Sequence, residues 1–164
     1  MSTENKIRLL LVDDEIKFLQ SIAKRLTLKN IDVITASNGS DAIASAEKDL
    51  FDVAVVDFQM PGMDGNQVLK ALKDRHKYIE IIMLTGHATI ESAVESTKLG
   101  AFNYLEKPYD FDQLVEIIKE AYEARLKKKF EHNQKRTEEI QKLSIGSSPL
   151  GLLRALARLD DEEK

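Results

Sequence analysis

The chain has 164 residues, 43% of them hydrophobic and 32% charged, which is the balance of a water-exposed globular fold with room for one domain and an extension. It has no cysteine, which excludes disulfides and thiolate metal sites and fits a reducing, cytoplasmic setting. The formal net charge of -4 is uneven: residues 123–164 carry ten basic and eight acidic side chains and the remainder fourteen and twenty, so the acidic body does not suit non-specific nucleic-acid binding. The first residues are polar and unlike a signal peptide, and no apolar run reaches the ~20 residues of a membrane span.

Five short runs rich in Val, Ile and Leu read as strands in chain order: Ile7–Val12, Ile31–Ala36, Val53–Val56, Ile79–Leu84 and Phe102–Leu105. Amphipathic stretches separate them. Leu19, Ile22, Ala23 and Leu26 share one helical face, as do Val68, Leu69 and Leu72, and as do Leu114, Ile117, Ile118 and Ala121. Asp64 is placed to cap the third helix and Gly100 to end the fourth. Five β-α units in succession predict an α/β fold: a doubly wound parallel sheet with helices on both faces.

Beyond residue 124 the pattern changes. The charged stretch from Glu123 to Leu143 lacks Gly and Pro and continues the fifth helix. Leu126, Phe130, Ile140 and Leu143 form a sparse stripe, but Asn133 and Thr137 fall where a coiled coil wants apolar residues. Arg125–Lys129 reads as a solvated helix face. Ser144–Pro149 has the composition of a linker, and Leu152, Leu153, Leu156 and Leu159 follow at helical spacing, either as a frayed end or as a docking helix. The division is therefore 1–124 for the domain and 125–164 for a helical extension, linker and Leu-rich tail. His76, His87 and His132 are scattered and read as surface residues rather than metal ligands.

The polar residues that close the strands matter most. Asp13 and Asp14 follow the first strand, Asp57 the third, Thr85 the fourth, and Lys107-Pro108 the fifth. In a parallel sheet these ends share one edge, where open α/β sheets bind ligands at the reversal of strand order. With the order 2-1-3-4-5, strands one and three are neighbours and the three aspartates converge. Two carboxylates at about 4 Å repel by on the order of 4 kcal/mol at an effective dielectric of about 20, so either some protonate or a cation binds. The oxygen-only donors suit Mg²⁺, which keeps waters and accepts a phosphate. Lys107 and the Thr85 hydroxyl suit phosphoryl oxygens, and the set suits transfer of a phosphoryl group to Asp57.

Asp13-Asp14, Asp57 in DFQMPGMDG, Thr85 in LTGHA, and Tyr104 with Lys107-Pro108 in YLEKP resemble the receiver domain of two-component response regulators over roughly residues 5–124. The stretch from Thr85 to Pro108 is most similar to receivers of nitrogen-regulator-type activators. The resemblance implies a flavodoxin-like (βα)5 fold. It also implies that Asp57 accepts a phosphoryl group from a histidine kinase or phosphotransfer protein. Asp14, Asp57 and the backbone carbonyl of Gln59 would bind Mg²⁺, and Asp13 would act through water. Lys107 and Thr85 would contact the phosphate. Tyr104 would swing into the space Thr85 leaves, Pro108 would be cis, and Gln59 and His87 would modulate how fast the group is lost. The switch would control a partner or a homodimer through the face of helix 4, strand 5 and helix 5, without catalytic turnover, membrane attachment or direct nucleic-acid binding. Complete conversion needs about 5.5 kcal/mol of differential stabilisation.

Three other classes fit the residues less well. A Mg²⁺-dependent phosphohydrolase wants an acid two residues beyond a nucleophile on the first strand; Glu15 holds that place after Asp13, but the chain has no insertion large enough for a cap. A pseudo-receiver would not need the intact acid, threonine and lysine set. A nucleotide-binding module lacks G-x-G-x-x-G after the first strand. The chain reads either as a stand-alone receiver or as part of a longer regulator.

Overall fold

The computed structural model describes residues 5–87, 89–144 and 149–162. The strands are β1 (Arg8–Val12), β2 (Asp32–Ala36), β3 (Val53–Asp57), β4 (Glu80–Thr85) and β5 (Asn103–Glu106). They alternate with α1 (Ile16–Leu28), α2 (Gly39–Lys48), α3 (Gly65–Arg75) and α4 (Ile90–Lys98), and α5 (Phe111–Ser144) and α6 (Pro149–Glu162) close the chain. All pairings are parallel and the order is β2-β1-β3-β4-β5. The predicted flavodoxin-like fold, 2-1-3-4-5 order and continued fifth helix are the observed ones.

Alternation along the central strands makes two cores. Leu9, Leu11, Val53, Val55, Ile82 and Leu84 point to one face and meet Leu19, Ile22 and Leu26 of α1 with Leu114, Ile118 and Ala121 of α5. Leu10, Val12, Ala54, Val56, Ile81 and Met83 point to the other and meet Ala42 and Ala46 of α2 with Val68, Leu69 and Leu72 of α3. Strands buried on both faces must be apolar almost throughout, which is why β1 and β3 were legible as runs.

Four strands begin one residue later than the apolar runs, and three extend past them to polar ends. Backbone pairing sets the limits, and it joins Arg8 with Asp32, Val53 with Glu80, and Thr85 with Glu106. Asp64 caps α3 in a reciprocal capping box with Gln67, and Thr89 and Ser92 do the same for α4. Gly100, at φ +102°, ends α4 in the left-handed region that glycine enters at low cost.

The expectation of a solvated basic face over Arg125–Lys129 is corrected in part. Arg125 Nε lies 2.9 Å from Asp52 Oδ1, and Lys128 Nζ lies 2.6 Å from Glu80 Oε1. Glu80 sits inside an otherwise apolar strand run and is 1% exposed. Its other oxygen faces Lys73 Nζ at 3.9 Å. Burial pushes the Lys73 ammonium below the usual lysine range, against the pull of Glu80. A buried carboxylate needs such partners, and α5 supplies one by running past the sheet's N-terminal edge.

Further along, α6 folds back on α5, where Arg136 pairs with Asp160. Residues 145–148 of the predicted linker lie outside the described residues, as do the side chains of Leu152 and Leu159 in the Leu-rich stripe; Leu153 is exposed and Leu156 half-buried. Among the described residues no helix is long and apolar enough to cross a membrane.

Replacing Lys128 with Ala strips Glu80 of its shorter charged hydrogen bond and is expected to lower the unfolding free energy by about 1–2 kcal/mol in urea titration. Exposed Lys127→Ala, the control, should stay within about 0.5 kcal/mol of the native protein. Equal effects of the two changes would refute the anchoring.

Candidate functional site

β1 and β3 are adjacent, with Val12 opposite Val56, so the residues just beyond them meet at the carboxyl edge. Asp13 is fully buried, Asp57 is 7% exposed and Asp14 is exposed. One carboxylate oxygen from each lies within 4.8 Å of the other two, the one such acidic group among the described residues.

Asp13 is tied on both oxygens. Its Oδ1 accepts from Glu15 N at 2.9 Å, and its Oδ2 accepts from Lys107 Nζ at 2.8 Å. The same ammonium is 3.9 Å from Asp57 Oδ2. The Lys107 backbone N–H donates to Thr85 O at 2.6 Å, and the Lys107–Pro108 bond is cis. Asp57 has weaker support: Gln59 N–H donates to its Oδ1 at 3.4 Å, while the Gln59 side chain is exposed.

Burial, first, and then the Asp13 charge push the Asp57 carboxyl up to about 6; Lys107 and the Gln59 N–H pull the other way, and Asp14 adds a small push upward. A carboxyl whose pKa is raised on folding favours the folded state fully below its unfolded value of 3.8, and that contribution is lost as pH rises through about 6.

The remaining predicted residues sit on β4, β5 and the turn after β4. Thr85 is fully buried, and its Oγ1 accepts from His87 N at 3.2 Å while the His87 ring is exposed. Tyr104 is half-buried and faces α4: its hydroxyl is 2.8 Å from Ser92 Oγ, and its ring stands edge-on to Phe58 at 6.5 Å. Gly62 takes φ +83° in the loop after the acceptor strand. Gly65 is the first residue of α3, and a Cβ there would fall 2.7 Å from Asp57 O and from Phe58 Cα. Only glycine lets this helix approach the strand end so closely.

No histidine joins the acids, as expected, but only His87 is exposed. His76 is half-buried and its Nε2 donates to Ala46 O at 2.7 Å, and His132 is half-buried against Tyr78. Sequence reasoning missed two contacts in the pocket: Ser92 holding Tyr104, and the Phe18 ring, whose centroid is 4.5 Å from Lys107 Nζ. Neither contact leaves a local pattern. The donor set is oxygen-only, crowded and net negative, and so fits a hard divalent cation such as Mg²⁺.

The sheet order and the pocket at its carboxyl edge place the chain in the flavodoxin-like α/β class. Residues 9–119 match the response regulator receiver domain, and the chain belongs to that family of two-component signalling phosphoacceptors. It is 34% identical over 110 residues to the DNA-binding transcriptional regulator NtrC of Salmonella typhimurium strain LT2, covering 67% of this chain and 24% of that protein. It is 37% identical over 116 residues to the transcriptional regulatory protein ZraR of the same organism, covering 71% and 26%. A CheY-like response regulator receiver domain protein from Methanospirillum hungatei superposes with a TM-score of 0.73 at 31% identity, over 76% of this chain and 99% of that one. The likeness to nitrogen-regulator-type receivers thus agrees with the relatives found, of whose length this chain spans about a quarter.

Removing the buried charge of Asp57, and its repulsion from Asp13, by Asp57→Asn is expected to stabilise the metal-free protein by about 1–3 kcal/mol at pH 7.5, with the gain gone near pH 4 where the native carboxyl is protonated. Urea unfolding at the two pH values measures this. A mutant no more stable than the native chain at pH 7.5 would contradict the account of Asp57.

Proposed function

We propose that Asp57 is the phosphoacceptor of this receiver and that the donor is a histidine kinase or phosphotransfer protein. The observation that carries this reading is a single ammonium, Lys107, held between a fully buried Asp13 and the less supported Asp57. A carboxylate oxygen of Asp57 attacks the phosphorus of a phosphohistidine, the phosphorus–nitrogen bond breaks, and the imidazole leaves with the electron pair. The raised pKa of about 6 leaves Asp57 ionised at neutral pH and therefore nucleophilic.

Asp14, Asp57 and the Gln59 backbone carbonyl would hold Mg²⁺, with Asp13 acting through water. When bound, the ion supplies positive charge that offsets the charge on the phosphoryl oxygens. Lys107 provides the second positive charge, and a shift from Asp13 towards Asp57 brings it to the phosphoryl group. The Thr85 hydroxyl uses its acceptor side for His87 N–H, so its proton is free to donate to a phosphoryl oxygen. Gln59 and His87 flank the site and suit a role in setting how long the group persists.

The switch is the rearrangement of Thr85 and Tyr104. Movement of Tyr104 inward breaks its hydrogen bond to Ser92 in α4, coupling the phosphoryl group to the face formed by α4, β5 and α5. That face is the reading for a downstream protein target or a phosphorylation-dependent homodimer, with the chain acting in the cytoplasm and binding neither nucleic acid nor membrane directly. Residues 1–124 form the receiver, and 125–164 serve as an extension to it.

The test is intact mass after incubation with acetyl phosphate and Mg²⁺, beside Asp57→Asn. One phosphoryl adduct is expected on the native chain and none on the mutant or without the metal. An adduct that survives in Asp57→Asn would move the acceptor elsewhere.

A further inference from the structure

Among the described residues Lys107 is the one cation paired with the pocket's acids, and its amine rides on a flexible four-carbon stem. Three environments lie within its reach. One is Asp13, at 2.8 Å, and a second is Asp57, at 3.9 Å. The third is a cavity of about 410 Å³ between α1 and the segment after β5, where Lys107 shares the lining with Phe18, Ile22, Arg25 and Tyr109. An ammonium that turned into this cavity would leave the acids.

The Phe18 ring lines this cavity at its mouth beside the acids, with its face under Lys107 Nζ and its centroid 4.5 Å away. A cation over a ring face is attracted by the ring's quadrupole, more strongly where water is partly excluded, and the Lys107 side chain is only 21% exposed. The ring is itself fixed. Tyr109 stands against it edge-on at 6.3 Å and 81°, and Phe18 packs on the core cluster of α1 and α5. The other nearby cation does not compete for it, because Arg25 covers the Phe111 ring at 3.9 Å.

The geometry points to Phe18 as the positioning residue for Lys107: its ring face keeps the ammonium on the Asp13–Asp57 side of the pocket, within reach of a phosphoryl group on Asp57. The inference rests on the phosphoacceptor reading of Asp57. Phe18 touches neither the acids nor the phosphoryl group in this account and acts through Lys107 alone.

Phe18→Leu keeps an apolar side chain but removes the ring, and Phe18→Tyr keeps the ring. With acetyl phosphate as donor no protein partner docks on α1, so the rate reports chemistry rather than recognition. Phe18→Leu is expected to slow phosphoryl uptake about two- to fivefold, with Phe18→Tyr near the native rate. In NMR spectra of the full chain, the Lys107 Hε resonances should be shifted upfield by the ring in the native protein and in Phe18→Tyr, and not in Phe18→Leu. The inference is overturned by a Phe18→Leu rate equal to native, by a Phe18→Tyr rate as slow as Phe18→Leu, or by the absence of the ring shift in the native protein. A native chain that takes up no phosphoryl group overturns the Asp57 reading instead, and the ring shift then still decides whether Phe18 holds the ammonium.

Discussion

Repulsion among Asp13, Asp14 and Asp57 is the constraint around which the carboxyl edge is organised. Parallel pairing of β1 with β3 forces their ends together, and the three carboxylates come within 4.8 Å of one another. Coulomb energies at such distances are of order kcal/mol even at an effective dielectric of about 20. One lysine and two backbone N–H groups offset part of this. Burial, together with the repulsion that remains, pushes the Asp57 carboxyl up to about 6. A site in that condition gains from any added positive charge, which is why its oxygen-only donor set fits a hard divalent cation.

The frame that imposes the crowding is rigid on both faces of the sheet. Its central strands bury alternate residues in two separate cores, so the strand ends cannot drift apart without disturbing both. α4 is attached differently. The one side chain it fully buries is Ser96, whose Oγ donates to buried Asn66 Oδ1 at 2.9 Å, and Ser92 joins Tyr104, while Ile90, Val94 and Leu99 are exposed. A helix held by hydrogen bonds rather than apolar burial is among the less stable elements of a fold. It lies next to Thr85 and Tyr104, so the soft element adjoins the charged site.

α5 extends the frame in the opposite direction. Arg125 and Lys128 pair with Asp52 and buried Glu80 at the sheet's N-terminal edge, so the helix is held to the body beyond its apolar face. The two charged regions do different work. At the carboxyl edge acids outnumber cations and leave a demand for more charge, whereas at the other edge Glu80 has two lysines and the demand is met.

Much of this was legible in the residues themselves. Short apolar runs locate the strands, the apolar stripes and caps locate most of the helices, and the polar residues closing the strands mark the edge that carries the site. These signals are local, set by side-chain periodicity and by the backbone needs of helix ends, as with Asp64 and Gly100. Tertiary structure alone decided the rest: that Glu80 in an apolar run is buried and paired from α5, that Tyr104 is bound to Ser92, that Gly65 lets α3 pack close to the end of β3, and that Phe18 faces Lys107. Each depends on how separate elements pack against one another. Residues distant in sequence become neighbours only when the sheet and its helices assemble, and no periodicity along the chain records which of them will touch.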